Sequence, residues 1–142
     1  MAELLKYLIE NFPNGLDGRG WCATGLSSNE SLPWDYVIDH PYGINTRSWN
    51  MPSLCENKSL PWSMVADFPE GFNSDPWDVT CLSSNRSISS LFVSDNPHGI
   101  DGHPWNMFNL SINHSLSWDV VLKYPHGLAG QSWCVYNLCS NP

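Results

Sequence analysis

Between Ser87 and Asn96, apolar side chains fall at Ile88, Leu91, Phe92 and Val93 with polar ones around them. Ile88, Phe92 and Val93 carry the apolar pattern of a short helix, with Leu91 on the adjoining face beside Ser90. Ser87 is a suitable N-cap, and Pro97 bars the residue before it from helical geometry, so the element is expected to end at Asn96. Pro97 to His103 is rich in turn formers and reads as a connector. A second short helix is expected from about Pro104-Trp105 to Ile112, with Asn113 as a left-handed C-cap. In the matching segments Pro33 and Pro61 would stand in the first turn, where a missing N–H does no harm. Around Trp34, the residues Trp34, Tyr36, Val37 and Ile38 fill most of a helix circumference and leave Asp35 and Asp39 on a narrow polar strip. A helix apolar on nearly all sides needs neighbours on both flanks. Strand-like alternation is absent over any useful length.

The same pattern recurs along the whole chain. Trp21, Trp49, Trp77, Trp105 and Trp133 stand 28 residues apart. Leu26, Leu54, Leu82, Leu110 and Leu138 keep the same step, as do Pro13 to Pro125, Gly15 to Gly127 and Asn29 to Asn141. Ser31, Ser59, Ser87 and Ser115 form a four-membered row, and Val37, Val65, Val93 and Val121 another. A second tryptophan row, Trp34, Trp62 and Trp118, is interrupted by Ser90. Five units of 28 account for 140 of the 142 residues without insertion or deletion. Two helices of about two turns each are too short to be stable alone and must be held by neighbouring units. The expected fold is therefore all-α: a helical solenoid of five 28-residue two-helix repeats, forming a single repeat domain over 1–142.

Composition narrows the function. Eight tryptophans in 142 residues, each able to bury roughly 150–250 Å², argue for a packed fold rather than disorder, despite eleven prolines and ten glycines. A formal net charge of −8 with six scattered Lys and Arg argues against nucleic acid and anionic membrane as partners. No apolar run approaches the roughly 20 residues that span a bilayer. Met1 to Leu8 is too short and too acidic for a secretory signal, so the chain is expected to be intracellular rather than secreted. Its five cysteines (Cys22, Cys55, Cys81, Cys134, Cys139) are an odd number without a Cys-x-x-Cys pair, which suggests free thiols.

Candidate chemistry dissolves into the repeat. Asn-x-Ser sequons occur at Asn29, Asn57, Asn85, Asn109 and Asn113, but four of the five belong to repeat rows in which Asn would close one helix and Ser would cap the next. His98 and His126 share a row with Tyr42 and Glu70, and no histidine or cysteine cluster stands at metal-ligand spacing. Asp17-Gly18 and Asp101-Gly102 fit turns better than calcium loops, because no unit supplies several carboxylates with a distal Glu. No nucleophile elbow, Cys-His pairing or phosphate-cradling loop is present. The chain is expected to be no enzyme, with no cofactor and no metal.

The two ends differ. The first unit is expected to be a terminal cap with a polar outer face: Lys6 replaces the recurring Trp and Glu3 and Glu10 add charge, while Leu4, Leu5, Leu8 and Ile9 would still face inward. The last unit keeps the interior pattern at Trp133, Val135, Tyr136 and Leu138. An apolar end of that kind is a candidate docking surface for a partner protein or for a second copy of the chain.

The succession Pro-Trp, Leu, Ser-x-Asn-x-Ser, Leu or Ile, Trp, Val and Pro is clearest in Pro76-Trp77-Asp78-Val79-Thr80-Cys81-Leu82-Ser83-Ser84-Asn85 and in Ser117-Trp118-Asp119-Val120-Val121-Leu122-Lys123-Tyr124-Pro125. It resembles the Trp- and Asn-Pro-rich tandem-repeat proteins of giant DNA viruses, in the mimivirus-, marseillevirus- and phycodnavirus-like groups. The resemblance extends over every unit, although the Pro-x-Gly connector here is longer than the link typical of that family. It implies a viral origin and a repeat fold. The function expected is a non-enzymatic protein–protein scaffold, as a minor capsid or other virion component. The alternative is a soluble intracellular adaptor that recruits host proteins during infection.

Overall fold

The computed structural model describes residues 1–141. It is all-helical, and no β-strand occurs among the described residues. The elements are α1 (Ala2–Asn11), α2 (Ala23–Ser27), α3 (Trp34–Asp39), α4 (Met51–Glu56), α5 (Trp62–Asp67), α6 (Val79–Ser84), α7 (Ser90–Asp95), α8 (Met107–Ile112), α9 (Trp118–Lys123) and α10 (Val135–Cys139). The even-numbered helices pack in series, α2 on α4, α4 on α6, α6 on α8 and α8 on α10, and α7 packs on α9 in the other row.

Local chemistry explains where each helix stops. The C-cap residues of the odd helices are Phe12, His40, Phe68, Asn96 and Tyr124, with ψ between 61° and 67°. Each precedes a proline, whose Cδ excludes the helical region for the residue before it. The carbonyl of each C-cap residue accepts the indole N–H of the tryptophan nine residues on, from Trp21, Trp49, Trp77, Trp105 and Trp133, at 2.7–2.8 Å. One side chain thus closes the unit and satisfies a carbonyl that the broken helix leaves open. Between them the chain reverses in a tight turn whose flanking residues exchange both backbone bonds, as Ile100 and His103 do at 2.9 and 2.8 Å. The two central residues have positive φ in every unit, from Asp17-Gly18 to Ala129-Gly130. Just before this turn, Gly99 sits at φ +92°, and a Cβ there would lie 1.9 Å from the His103 carbonyl oxygen. No other residue fits.

The core is one continuous cluster. Val37, Val65 and Val93 of the odd helices and Leu54, Leu82 and Leu110 of the even helices are fully excluded from water. Trp49, Trp77, Trp105 and Trp133 are buried and Trp21 is half-buried against the cluster. Phe92 meets Trp105 edge-on at 6.2 Å, the favoured geometry for two ring quadrupoles.

Several helix boundaries differ from the sequence expectation. Ser87 does not cap α7; Ser89 does, with its hydroxyl accepting the Phe92 N–H at 3.1 Å. Pro33 and Pro61 occupy the N-cap position rather than the first turn. The second helix of the fourth unit starts at Met107, two residues after Trp105, because the Asn106 side chain accepts the Asn109 N–H. Asn113 is extended (φ −75°, ψ 106°) rather than left-handed. Ile38 is exposed, so the helix flank it occupies has no neighbour.

Candidate protein-interaction surfaces

Asparagines join the units. Asn57 donates through Nδ2 to the carbonyls of Ser27 (2.9 Å) and Asn29 (3.0 Å) in the preceding unit. Asn85 reaches the carbonyls of Cys55 and Asn57, and Asn113 those of Ser83 and Asn85. Asn141 repeats the arrangement more loosely, at 3.4 and 3.2 Å from Ser111 and Asn113. The Oδ1 atoms of Asn57, Asn85 and Asn113 accept the N–H of the serine two residues on. All three residues are buried, and every buried side-chain polar atom among the described residues has a partner. Only an amide offers two donors and an acceptor in this compass; aspartate would bring a charge and no donor.

A second row runs beside the asparagines. The buried hydroxyls of Ser27, Ser83 and Ser111 donate to carbonyls four residues back and accept the N–H of Asn50, Asn106 and Cys134 in the next unit at 2.9–3.0 Å. Cys55 holds this position in the remaining interior unit. Burial pushes its thiol up to about 12, with the backbone N–H of Asp78 pulling the other way, so it stays a neutral thiol. The interrupted tryptophan row also crosses between units. Trp34 donates to the Ser59 hydroxyl (3.0 Å) and Trp62 to the Ser87 carbonyl (2.7 Å). Where Ser90 replaces Trp, its hydroxyl accepts the Ser117 N–H at 2.8 Å. Where Lys6 does so, its ammonium pairs with Asp35. Their hydrogen bond is the leading cause that holds the Asp35 carboxyl below, and the Lys6 ammonium above, the ordinary range.

The ends lack one side of these joints among the described residues. Met51, Val79 and Met107 are 5–7% exposed, while Val135 in the same row is 68% exposed. Trp118 is 48% exposed, and Val121 and Leu138 are half-buried although their interior counterparts are shut off from water. At the other end Leu16 is 42% exposed against 2–5% for Ile44, Phe72, Ile100 and Leu128. Leu4 is exposed rather than inward-facing; Ile9 is fully buried, with Leu5 and Leu8 half-buried. Of the four residues expected at a docking end, Val135 and Tyr136 lie open, Leu138 is half-covered and Trp133 is buried. Tyr136 has a different origin from Val135: its counterpart Phe108 is also exposed, so that row faces outward within the stack. Trp118 belongs to the same apolar end and was missed, although it is the last member of a row visible in the sequence; Leu122 is exposed like its counterpart Ile38, so its row faces outward.

Among the described residues no group of three or more His, Cys, Asp or Glu side chains is placed to hold a metal ion, and no helix is long and apolar enough to cross a membrane. Surface hollows are shallow and open to solvent, such as the one lined by Ser84, Arg86, Asn109, Ile112 and His114. Compared with known proteins, the chain matches no family model, no curated protein and no solved structure.

Proposed function

We propose that the chain is a helical solenoid of five 28-residue units that serves as a non-enzymatic protein–protein scaffold, as a structural component of a giant-virus particle. The observation that carries this reading is the apolar surface at the last unit, where Val135 and Trp118 stand open to solvent although their interior counterparts are better covered. Exposed apolar groups contiguous with a core are characteristic of surfaces that bind other proteins. The resemblance of the repeat to those of giant DNA viruses supports the viral assignment. A net charge of −8 makes a nucleic-acid role a poor fit.

Mass spectrometry of purified virions is the test. A virion component is recovered at a fixed ratio to the capsid protein after salt and detergent washes. Recovery solely from infected cytoplasm would move the reading to a host-directed adaptor. Recovery from neither would remove the viral assignment.

A further inference from the structure

The joint between units has a direction. At each internal junction the asparagine Nδ2 of the following unit donates to carbonyls of the preceding one. At three of them the backbone N–H of the N-cap residue also donates to a serine hydroxyl of the preceding unit, while Trp34 and Trp62 donate in the opposite sense. The two ends of the stack therefore carry opposite halves of one joint. At the first unit, Asn29 Nδ2 and the Cys22 N–H hold the donor positions and make no hydrogen bond among the described residues. At the last unit, the carbonyls of Cys139 and Asn141 and the Cys139 thiol hold the acceptor positions, likewise without a donor among the described residues. Apolar groups match in the same sense. Val135, Trp118 and Leu138 open on one end; Leu16 and Trp21 open on the other. Lys6, which breaks the tryptophan row, points toward α3 and its Asp35, so that substitution alters the first internal joint rather than the outer face of the first unit.

We infer that the last unit of one chain docks on the first unit of a second copy, head to tail, by the same joint that links units within the chain. This rests on the reading of the last unit as a docking surface and names its occupant. The interface continues one already made four times within the molecule. Its two halves differ, so it is heterologous and propagates as an open rod unless the rotation per copy closes a ring.

Sedimentation velocity over a wide concentration range tests the inference on the full chain, using the native protein, Leu16→Glu and Val135→Glu. The native protein is expected to gain mass with concentration in multiples of 16.0 kDa. Each variant alone is expected to stay monomeric, since every contact needs both faces. An equimolar mixture is expected to form two-chain species and nothing larger, because one intact pair of faces remains. Asn29→Asp is the gentler variant: it keeps the acceptor for the Ser31 N–H and the exposed site tolerates it, but it turns a donor into a carboxylate aimed at carbonyls. It is expected to weaken association by at least about tenfold. A monomeric native protein, a Leu16→Glu variant that assembles like the native one, or a mixture that fails to associate would each overturn the inference. A monomeric chain found at fixed ratio in virions would refute head-to-tail growth and leave the scaffold reading intact. Rods that assemble from a chain absent from virions and infected cells would do the reverse.

Discussion

The two tryptophan rows, one two residues before the even helices and the other opening the odd ones, carry unequal burdens. The row from Trp21 to Trp133 is unbroken, whereas the row containing Trp34, Trp62 and Trp118 gives way to Lys6 in the first unit and Ser90 in the fourth. The first row works inside a unit. Each indole N–H satisfies a C-cap carbonyl stranded by the following proline, and each interior ring sits in the core. The second row works between units, where Trp34 and Trp62 are half-buried and a serine hydroxyl or an ion pair can make a substitute contact. A group that closes a unit has one geometry to satisfy; a group that bridges units meets a neighbour with several donors and acceptors. In the second row the serine hydroxyl of Ser90 and the Lys6–Asp35 pair supply such substitutes.

The largest effect should come from the closing row. Trp77→Ala is expected to cost about 3–5 kcal/mol in chemical denaturation, as deletion of a buried aromatic does. Trp77→Phe keeps a ring but strands the Phe68 carbonyl, and should cost about 1–3 kcal/mol. Asn85→Ala sharpens the comparison from the other side, because it removes a bridge that no unit replaces. The Cys55 carbonyl and the Ser87 N–H lose their partner and the Asn57 carbonyl keeps only the Leu60 N–H, at a cost of about 2–3 kcal/mol measured the same way.

Trp62→Ser imports the residue that the fourth unit already uses. Half-burial of the indole limits the expected loss to about 1–2 kcal/mol, and Ser90→Trp should stay within about 1 kcal/mol of the native protein. Equal losses for Trp62→Ser and Trp77→Ala would erase the distinction between the rows. Thr46→Gly works in the opposite direction. A β-branched residue at φ +64° is strained, and glycine there should stabilise by about 0.5–1 kcal/mol in a thermal melt.

The Lys6–Asp35 pair should give the smallest effect. Asp35 is held below its ordinary range, so its contribution is present above that range and is lost as pH falls through the folded value. Lys6 is held above its ordinary range, so its share is present below that range and is lost as pH rises through the folded value. Both side chains face solvent, and salt should screen most of the contribution. Urea titrations of the native protein and Asp35→Asn at pH 3 and pH 7 should converge at the lower pH.

The sequence alone carried the 28-residue period, the pairing of short helices, their termination before each proline and the burial of the tryptophan at Trp49, Trp77 and Trp105. Those features depend on neighbours within a few residues or on simple periodicity, so a linear pattern contains them. The asparagine row was equally visible, and Asn57, Asn85 and Asn113 do stand at helix C-caps, in extended rather than left-handed geometry, but the bonds their side chains make between units were not foreseen. Its partners lie 28 and 30 residues upstream, and the pattern does not say which carbonyls arrive beside the amide. Cys55 was visible as a thiol but not as a stand-in for the serines that take the next unit's N–H. The plainest case is one residue type in one row: Val79 is 7% exposed and Val135 is 68% exposed. Their local sequences prescribe the same helical position. What separates them is whether another unit packs against that side, and burial is a property of the pair of surfaces rather than of either one, so only the tertiary structure could decide it.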